Sequence, residues 1–242
     1  MQSSEIVLQP RQIERTLVVM AKAPRPGTVK TRLAQGLGTG AVTELYRCML
    51  DDTMTLARSL PGIRVAIMTP VSDVREMEQF AGSGTKVVGQ QGVGLAAALT
   101  SVFAKFATCG MQHVIAFNSD SPHLPNSVIA SAFDILMTHD LVVGPTHDGG
   151  YYLVGAKASH PALFESDGMG TASALDALLA RARGRQLSVG FTDQFYDIDV
   201  QDDLSRLVAD LRSAPERAPR TAGWLNARRQ ELSQLCSAAG EL

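Results

Sequence analysis

The chain has 242 residues, 45% hydrophobic and 19% charged, which is enough to bury the core of one α/β domain. Its formal charge of −2 at neutral pH gives no electrostatic reason to expect nucleic acid or an anionic membrane as a general partner. Cys48, Cys109 and Cys236 are odd in number and widely spaced, against a disulfide framework or zinc knuckle, and no segment reads as a signal peptide or bilayer span. A cytoplasmic location is the default expectation.

Residues 1–15 read as a loose leader, and Thr16 to Met20 as a strand apolar on both faces, as central parallel strands are. The loop that follows, Ala21-Lys-Ala-Pro-Arg-Pro-Gly-Thr-Val-Lys-Thr-Arg-Leu33, gathers Lys22, Arg25, Lys30 and Arg32. Two prolines and a glycine fix its path, so it reads either as a diphosphate cradle or as a solvated basic turn. It matches neither the P-loop nor the dinucleotide glycine pattern.

Apolar spacing predicts a helix over 41–60, stopped by Pro61-Gly62, then a strand over 63–68, a short helix over 71–80, a strand over 86–88 and a helix over 95–106. Between the last two, Gly89-Gln-Gln-Gly-Val-Gly94 places Gln91 and Gly92 where bare backbone can approach a ligand, although a plain turn uses glycine equally. His113 to Pro125 then carries an apolar run, Val114 to Phe117, cut off by Asn-Ser-Asp-Ser-Pro. Asp120 therefore lies at a strand's carboxyl end, where open α/β sheets bind ligands. Its carboxylate suits a hard divalent cation, or alternatively caps the next helix.

A helix over 126–137 and a strand over 141–143 lead to Gly144-Pro-Thr-His-Asp-Gly-Gly-Tyr-Tyr-Leu-Val-Gly155. Asp-Gly is a strong hairpin signal, with the paired glycines Gly149 and Gly150 at the sharp turn and Tyr151 to Val154 returning as a strand, and a hairpin can also project the Asp148 carboxylate into a cleft. A helix over 169–183 and a strand over 186–191 precede Tyr196-Asp-Ile-Asp-Val-Gln-Asp-Asp-Leu204. In extended backbone Asp197 and Asp199 point the same way, as a two-oxygen clamp, whereas Asp202 and Asp203 suit the first turn of a helix over 204–211. Residues 213–242 read as a helical tail that packs on the domain or on a second copy of the chain. Strands alternating with helices predict a mostly parallel sheet covered on both faces.

Four segments, Met20 to Leu33, Asn118 to Pro125, Gly144 to Gly155 and Asp197 to Leu204, resemble in order those of the bacterial DUF2064 family, whose members are described as nucleotide-diphospho-sugar transferases or GT-A-type glycosyltransferases. The resemblance spans about residues 16–212 and implies a Rossmann-like GT-A fold. It implies phosphate contacts from Lys22, Lys30 and Arg32, a Mg²⁺ or Mn²⁺ held by Asp120 with Asp197 or Asp199, and Asp148 and Tyr151 facing the transferred group. Three departures are visible: Gly94-Leu-Ala-Ala-Ala98 lacks a common Asp-Leu-Gly and Arg, Met169 stands where tryptophan often precedes Gly-Thr, and His147 replaces an acid.

The function expected is metal-dependent transfer from a nucleotide-sugar donor to a small-molecule acceptor, with Asp148 and His147 as candidate base or acceptor anchor and Gly149, Gly150 and Tyr151 on the acceptor or sugar side. The alternatives are a nucleotidyltransferase joining a nucleoside triphosphate to a small phosphorylated acid or sugar, and a non-catalytic nucleotide-binding module.

Overall fold

The structure, a computed structural model, describes residues 14–164 and 173–232. Its centre is strand β1 (Arg15–Met20), whose alternate side chains are apolar on both sides. Leu17 and Val19 enter one core cluster and Val18 another. A strand with two apolar faces must be covered on both, so helices pack above and below it. The remaining strands are β2 (Ile63–Thr69), β3 (Lys86–Gly89), β4 (Val114–Asn118), β5 (Leu141–Pro145), β6 (Tyr151–Ala156) and β7 (Val189–Phe191).

They form one seven-stranded sheet in the order β3-β2-β1-β4-β6-β5-β7. All neighbouring pairs are parallel except those made by β6, which runs antiparallel to β4 and β5 because the hairpin at Asp148-Gly149 turns the chain straight back. At Gly155 a side chain would meet Ile115 Cγ1 and Val142 Cγ1, each at 2.8 Å, so only glycine lets β6 lie this close beneath α5 (Asn126–Thr138).

One face of the sheet is covered by α2 (Thr39–Ser59), α3 (Val74–Ala81) and α5, through Leu50, Met54, Met77 and Phe133. The other is covered by α4 (Leu95–Thr108) and α6 (Ala174–Gly184), through Val102, Phe103, Leu178 and Ala182. Each large side chain fully buried this way contributes about 1.5–3 kcal/mol relative to exposure. A third cluster joins the far side of α2 to α7 (Gln201–Ser213) and α8 (Pro219–Ala227) by way of Leu45, Leu207, Trp224 and Leu225. The described part of the tail, through α8 and Leu232, thus packs on α2 and α7.

Most boundaries lie within two residues of those the sequence predicts. A short helix α1 (Ala34–Leu37) precedes α2, from which it is parted by Gly38 at φ 78°. The final strand starts three residues later than expected, since Leu187 N–H is still bonded to Ala182 O at the end of α6. Helix α7 begins at Gln201, earlier than expected, because Asp203 Oδ2 accepts from the N–H groups of Asp199 and Val200 and so closes the first turn. The expected leader over 1–13, the segment 165–172 with Met169, and residues 233–242 lie outside the described residues. Among the described residues no helix is long and apolar enough to cross a membrane.

Candidate functional site

Strand order reverses between β1 and β4: the chain builds outward from β1 to β2 and β3 on one side and then resumes on the other. Loops leaving the carboxyl ends of those two strands diverge, and a crevice opens between them. A cavity of about 940 Å³ lies at this edge, lined among others by Lys22 and Lys30 from the basic loop, Asp120 after β4, and Asp197 and Asp199 after β7. That volume is in the range of small-molecule sites. Tyr151 reaches the same edge because β6 is antiparallel, so its first residue lies beside the last residues of β4.

Four residues of this set are coupled by charge. Lys30 Nζ stands 2.8 Å from Asp120 Oδ1 and 2.7 Å from Asp199 Oδ1, with its side chain only 4% exposed. Burial alone would depress the ammonium's pKa, but Asp120 and Asp199 outweigh it and hold the pKa above the ordinary lysine value. Burial would raise the Asp199 carboxyl, yet Lys30, helped by the charge of Arg32, pulls it below the usual range. Asp197 has no such partner: burial, followed by the charges of Asp199 and Asp120, lifts it from 3.8 to about 6. Three carboxylates therefore share one firmly paired cation.

Backbone bonds bring these distant segments together. Ile198 N–H donates to Asp120 O at 3.0 Å, and Ser121 Oγ donates to Tyr196 O at 3.0 Å, sewing the 197–199 segment to the loop after β4. His123 packs behind them against the rings of Phe195 and Tyr196, and burial lowers its pKa to about 4, so it serves as a neutral ring in that support.

The basic loop is fixed by residues whose role the sequence does not announce. Lys22 N–H donates to Tyr46 Oη at 3.2 Å, and the same hydroxyl meets Ser119 Oγ at 3.0 Å, which pins the loops after β1 and β4 to one point on α2. Asp73, buried, accepts from Ala23 N–H at 2.9 Å and from Arg25 at 2.8 Å. Read along the chain, Tyr46 is one more residue of an amphipathic helix and Asp73 one more surface acid; only the crossing of three elements reveals them.

Not all the candidate residues meet in the cavity. Arg25 donates its Nε to Glu76 at 2.7 Å and lines a separate surface pocket, so its part is to hold the loop. Arg32 is exposed outside the lining and acts on it only through its charge. Of the glycine-rich turn, Gln90, Gly92, Val93 and Gly94 line the cavity, whereas Gln91 is tied through its backbone to Ser101 Oγ and stays out. The hairpin stands apart too. Asp148 Oδ1 accepts from Thr146 Oγ1 and from Gly150 N–H, Gly149 takes φ 86°, and His147 is exposed. Asp148, His147, Gly149 and Gly150 form the turn and do not line the cavity.

Among the described residues no group of three or more His, Cys, Asp or Glu side chains is arranged as it stands to hold a metal ion. The Lys30 ammonium lies between two of the carboxylates instead. The donor set still fits a hard divalent ion: it is all oxygen and it opens on one cavity.

The model of the DUF2064 family, described as an uncharacterized protein conserved in bacteria, matches residues 53–171. Among solved structures, a protein of Desulfovibrio desulfuricans G20 with the provisional name nucleotide-diphospho-sugar transferase is similar at 26% identity and a TM-score of 0.85, over 93% of this chain and 99% of that one. Inositol-1-phosphate CTP transferase from T. maritima is 15% identical with a TM-score of 0.58, over 85% and 98% of the two chains. The 4-diphosphocytidyl-2C-methyl-D-erythritol synthase of Anaerococcus prevotii DSM 20548 is 13% identical with a TM-score of 0.55, over 82% and 96%. The last two likenesses are of fold alone. No curated protein matches the sequence.

Proposed function

We propose that the chain, which the DUF2064 model matches over residues 53–171, is a transferase that draws on a nucleotide-diphospho-sugar donor, with a divalent cation beside the diphosphate. The observation that carries this reading is the meeting of Lys22 and Lys30 with Asp120, Asp197 and Asp199 in one cavity at the carboxyl edge of the sheet. The provisional name of the Desulfovibrio protein supports the donor class.

In this reading Lys22 lies along the diphosphate, and the turn through Gly92 and Gly94, with φ of 78° and 89°, gives the nucleotide bare backbone to approach. Asp120 and Asp199, with Asp197 behind them, hold the cation. A divalent ion there supplies the charge neutralisation that a leaving nucleoside diphosphate requires. Tyr151 closes the acceptor side. Asp148 and His147 are assigned to the hairpin, because neither lines the cavity and Asp148 Oδ1 closes the turn.

A second reading, nucleotidyl transfer from a nucleoside triphosphate to a small phosphorylated acid or sugar, is favoured by the fold shared with the two cytidylyl-transferring enzymes and by the missing Asp-Leu-Gly and Arg at Gly94. Calorimetric titration with UDP, GDP, CDP and ADP and their sugars, with and without Mn²⁺, tests the first reading. The expected result is affinity for one diphosphate and its sugar that rises about tenfold or more with Mn²⁺, a gain of about 1.4 kcal/mol. Pyrophosphate release on mixing with a triphosphate and a phosphorylated acceptor would establish the second reading instead. Nucleotide affinity indifferent to the metal would leave only a binding module.

A further inference from the structure

Lys30 is held in an unusual way for a surface-loop lysine. Its φ is 48°, in the left-handed region that side-chain-bearing residues enter at a cost of about 1–2 kcal/mol. The backbone around it is fixed upstream by Tyr46 and Asp73 and downstream by Ala34 N–H, which donates to Lys30 O at 3.1 Å. The movable part is the four-carbon side chain, which lines the same cavity as Lys22. Meanwhile Asp120 Oδ1 and Asp199 Oδ1, oxygens that a divalent ion needs, are both occupied by the ammonium.

We propose that Lys30 is a tethered cation standing where a divalent ion is to be held, so that Asp120 and Asp199 accept such an ion only when Lys30 is displaced from them, a displacement that an anionic ligand in the cavity favours. The proposal rests on the metal-assisted reading above and adds to it which group the two carboxylates must release. The ammonium pairs with two of the three carboxylates and offsets one of their charges. It must then exchange one anionic partner for another, and the phosphates of the ligand are the natural acceptor. Cation and diphosphate thereby raise each other's affinity, as reciprocal linkage requires.

The test is Mn²⁺ binding without nucleotide, read from the free-ion electron paramagnetic resonance signal, for the full chain and for Lys30→Met. The variant is expected to bind Mn²⁺ about fivefold or more tightly than wild type. A second measurement needs no variant: acylation of the Lys30 amine, followed by mass spectrometry, is expected to be slow in chelator and several-fold faster at saturating Mn²⁺. Equal or weaker Mn²⁺ binding by a natively folded Lys30→Met, labelling of Lys30 that ignores Mn²⁺, or no Mn²⁺ binding by either protein would each overturn the proposal. If the variant does not fold, the labelling result decides. A tighter Mn²⁺ site in the variant, together with no nucleotide binding in the calorimetric screen, would sink the donor reading and leave the tethered cation standing.

Discussion

Asp120 and Asp197 lie in one cavity yet serve different ends, and substitution should separate them. Asp120 is bonded to Lys30 and lies after the central strand β4, so Asp120→Asn is expected to cut Mn²⁺-assisted diphosphate binding by about tenfold or more while the thermal midpoint stays within a few degrees of wild type. Unchanged Mn²⁺-dependent binding in the folded variant would remove Asp120 from the site. Asp197 instead carries a stability cost. Its carboxyl titrates near 6 in the fold against 3.8 ordinarily, so the folded state holds that proton more tightly than the unfolded chain does. The cost is absent at acid pH, where both states are protonated, and is fully developed once pH has risen through about 6. In metal-free buffer Asp197→Asn should therefore be more stable than wild type above pH 6, by about 1 kcal/mol given solvent screening, with the difference vanishing toward pH 4. Thermal melts at several pH values check this; a variant less stable at pH 7.5 contradicts it. At this scale the sequence identified Lys30 and the three carboxylates as chemical groups. It did not show that the lysine bonds to the acids directly, because that contact spans 169 residues of chain between Lys30 and Asp199.

Elements were the most legible level. Two-faced apolar strands and 3.6-residue apolar spacing located all seven strands and most helices, because burial imposes those periods whatever the tertiary partners are. Attachments between elements were not legible. Asp52 is an example: buried inside α2, it accepts from Thr221 N–H at 2.8 Å and Thr221 Oγ1 at 2.7 Å, and so caps the start of α8 from another helix. Asp52→Ala would leave those donors unpaired, and a loss of about 2–3 kcal/mol in chemical denaturation is expected, with nucleotide affinity unchanged because the cavity lies elsewhere. A marked fall in nucleotide affinity would mean instead that α8 supports the site.

As a whole, the molecule is a sheet with two covered faces and a third apolar cluster that binds α7 and α8 to the outside of α2. Truncation after Ser213 would uncover the surface that Trp224 and Leu225 occupy, so the shortened chain is expected to melt several degrees lower, while the full chain melts in one transition. Two separate calorimetric transitions in the full chain would make the tail an independent unit. By itself the sequence determined the α/β class, the order of elements and which carboxylates and lysines stand at strand ends, because these follow from local periodicity and from where apolar runs stop. Only the tertiary structure decided that the Asp148 hairpin lies outside the cavity lining, that Arg25 anchors a loop and that Lys30 lies between Asp120 and Asp199. Those outcomes depend on which loops the sheet order brings side by side, and the balance of burial against charge acts only once they have met.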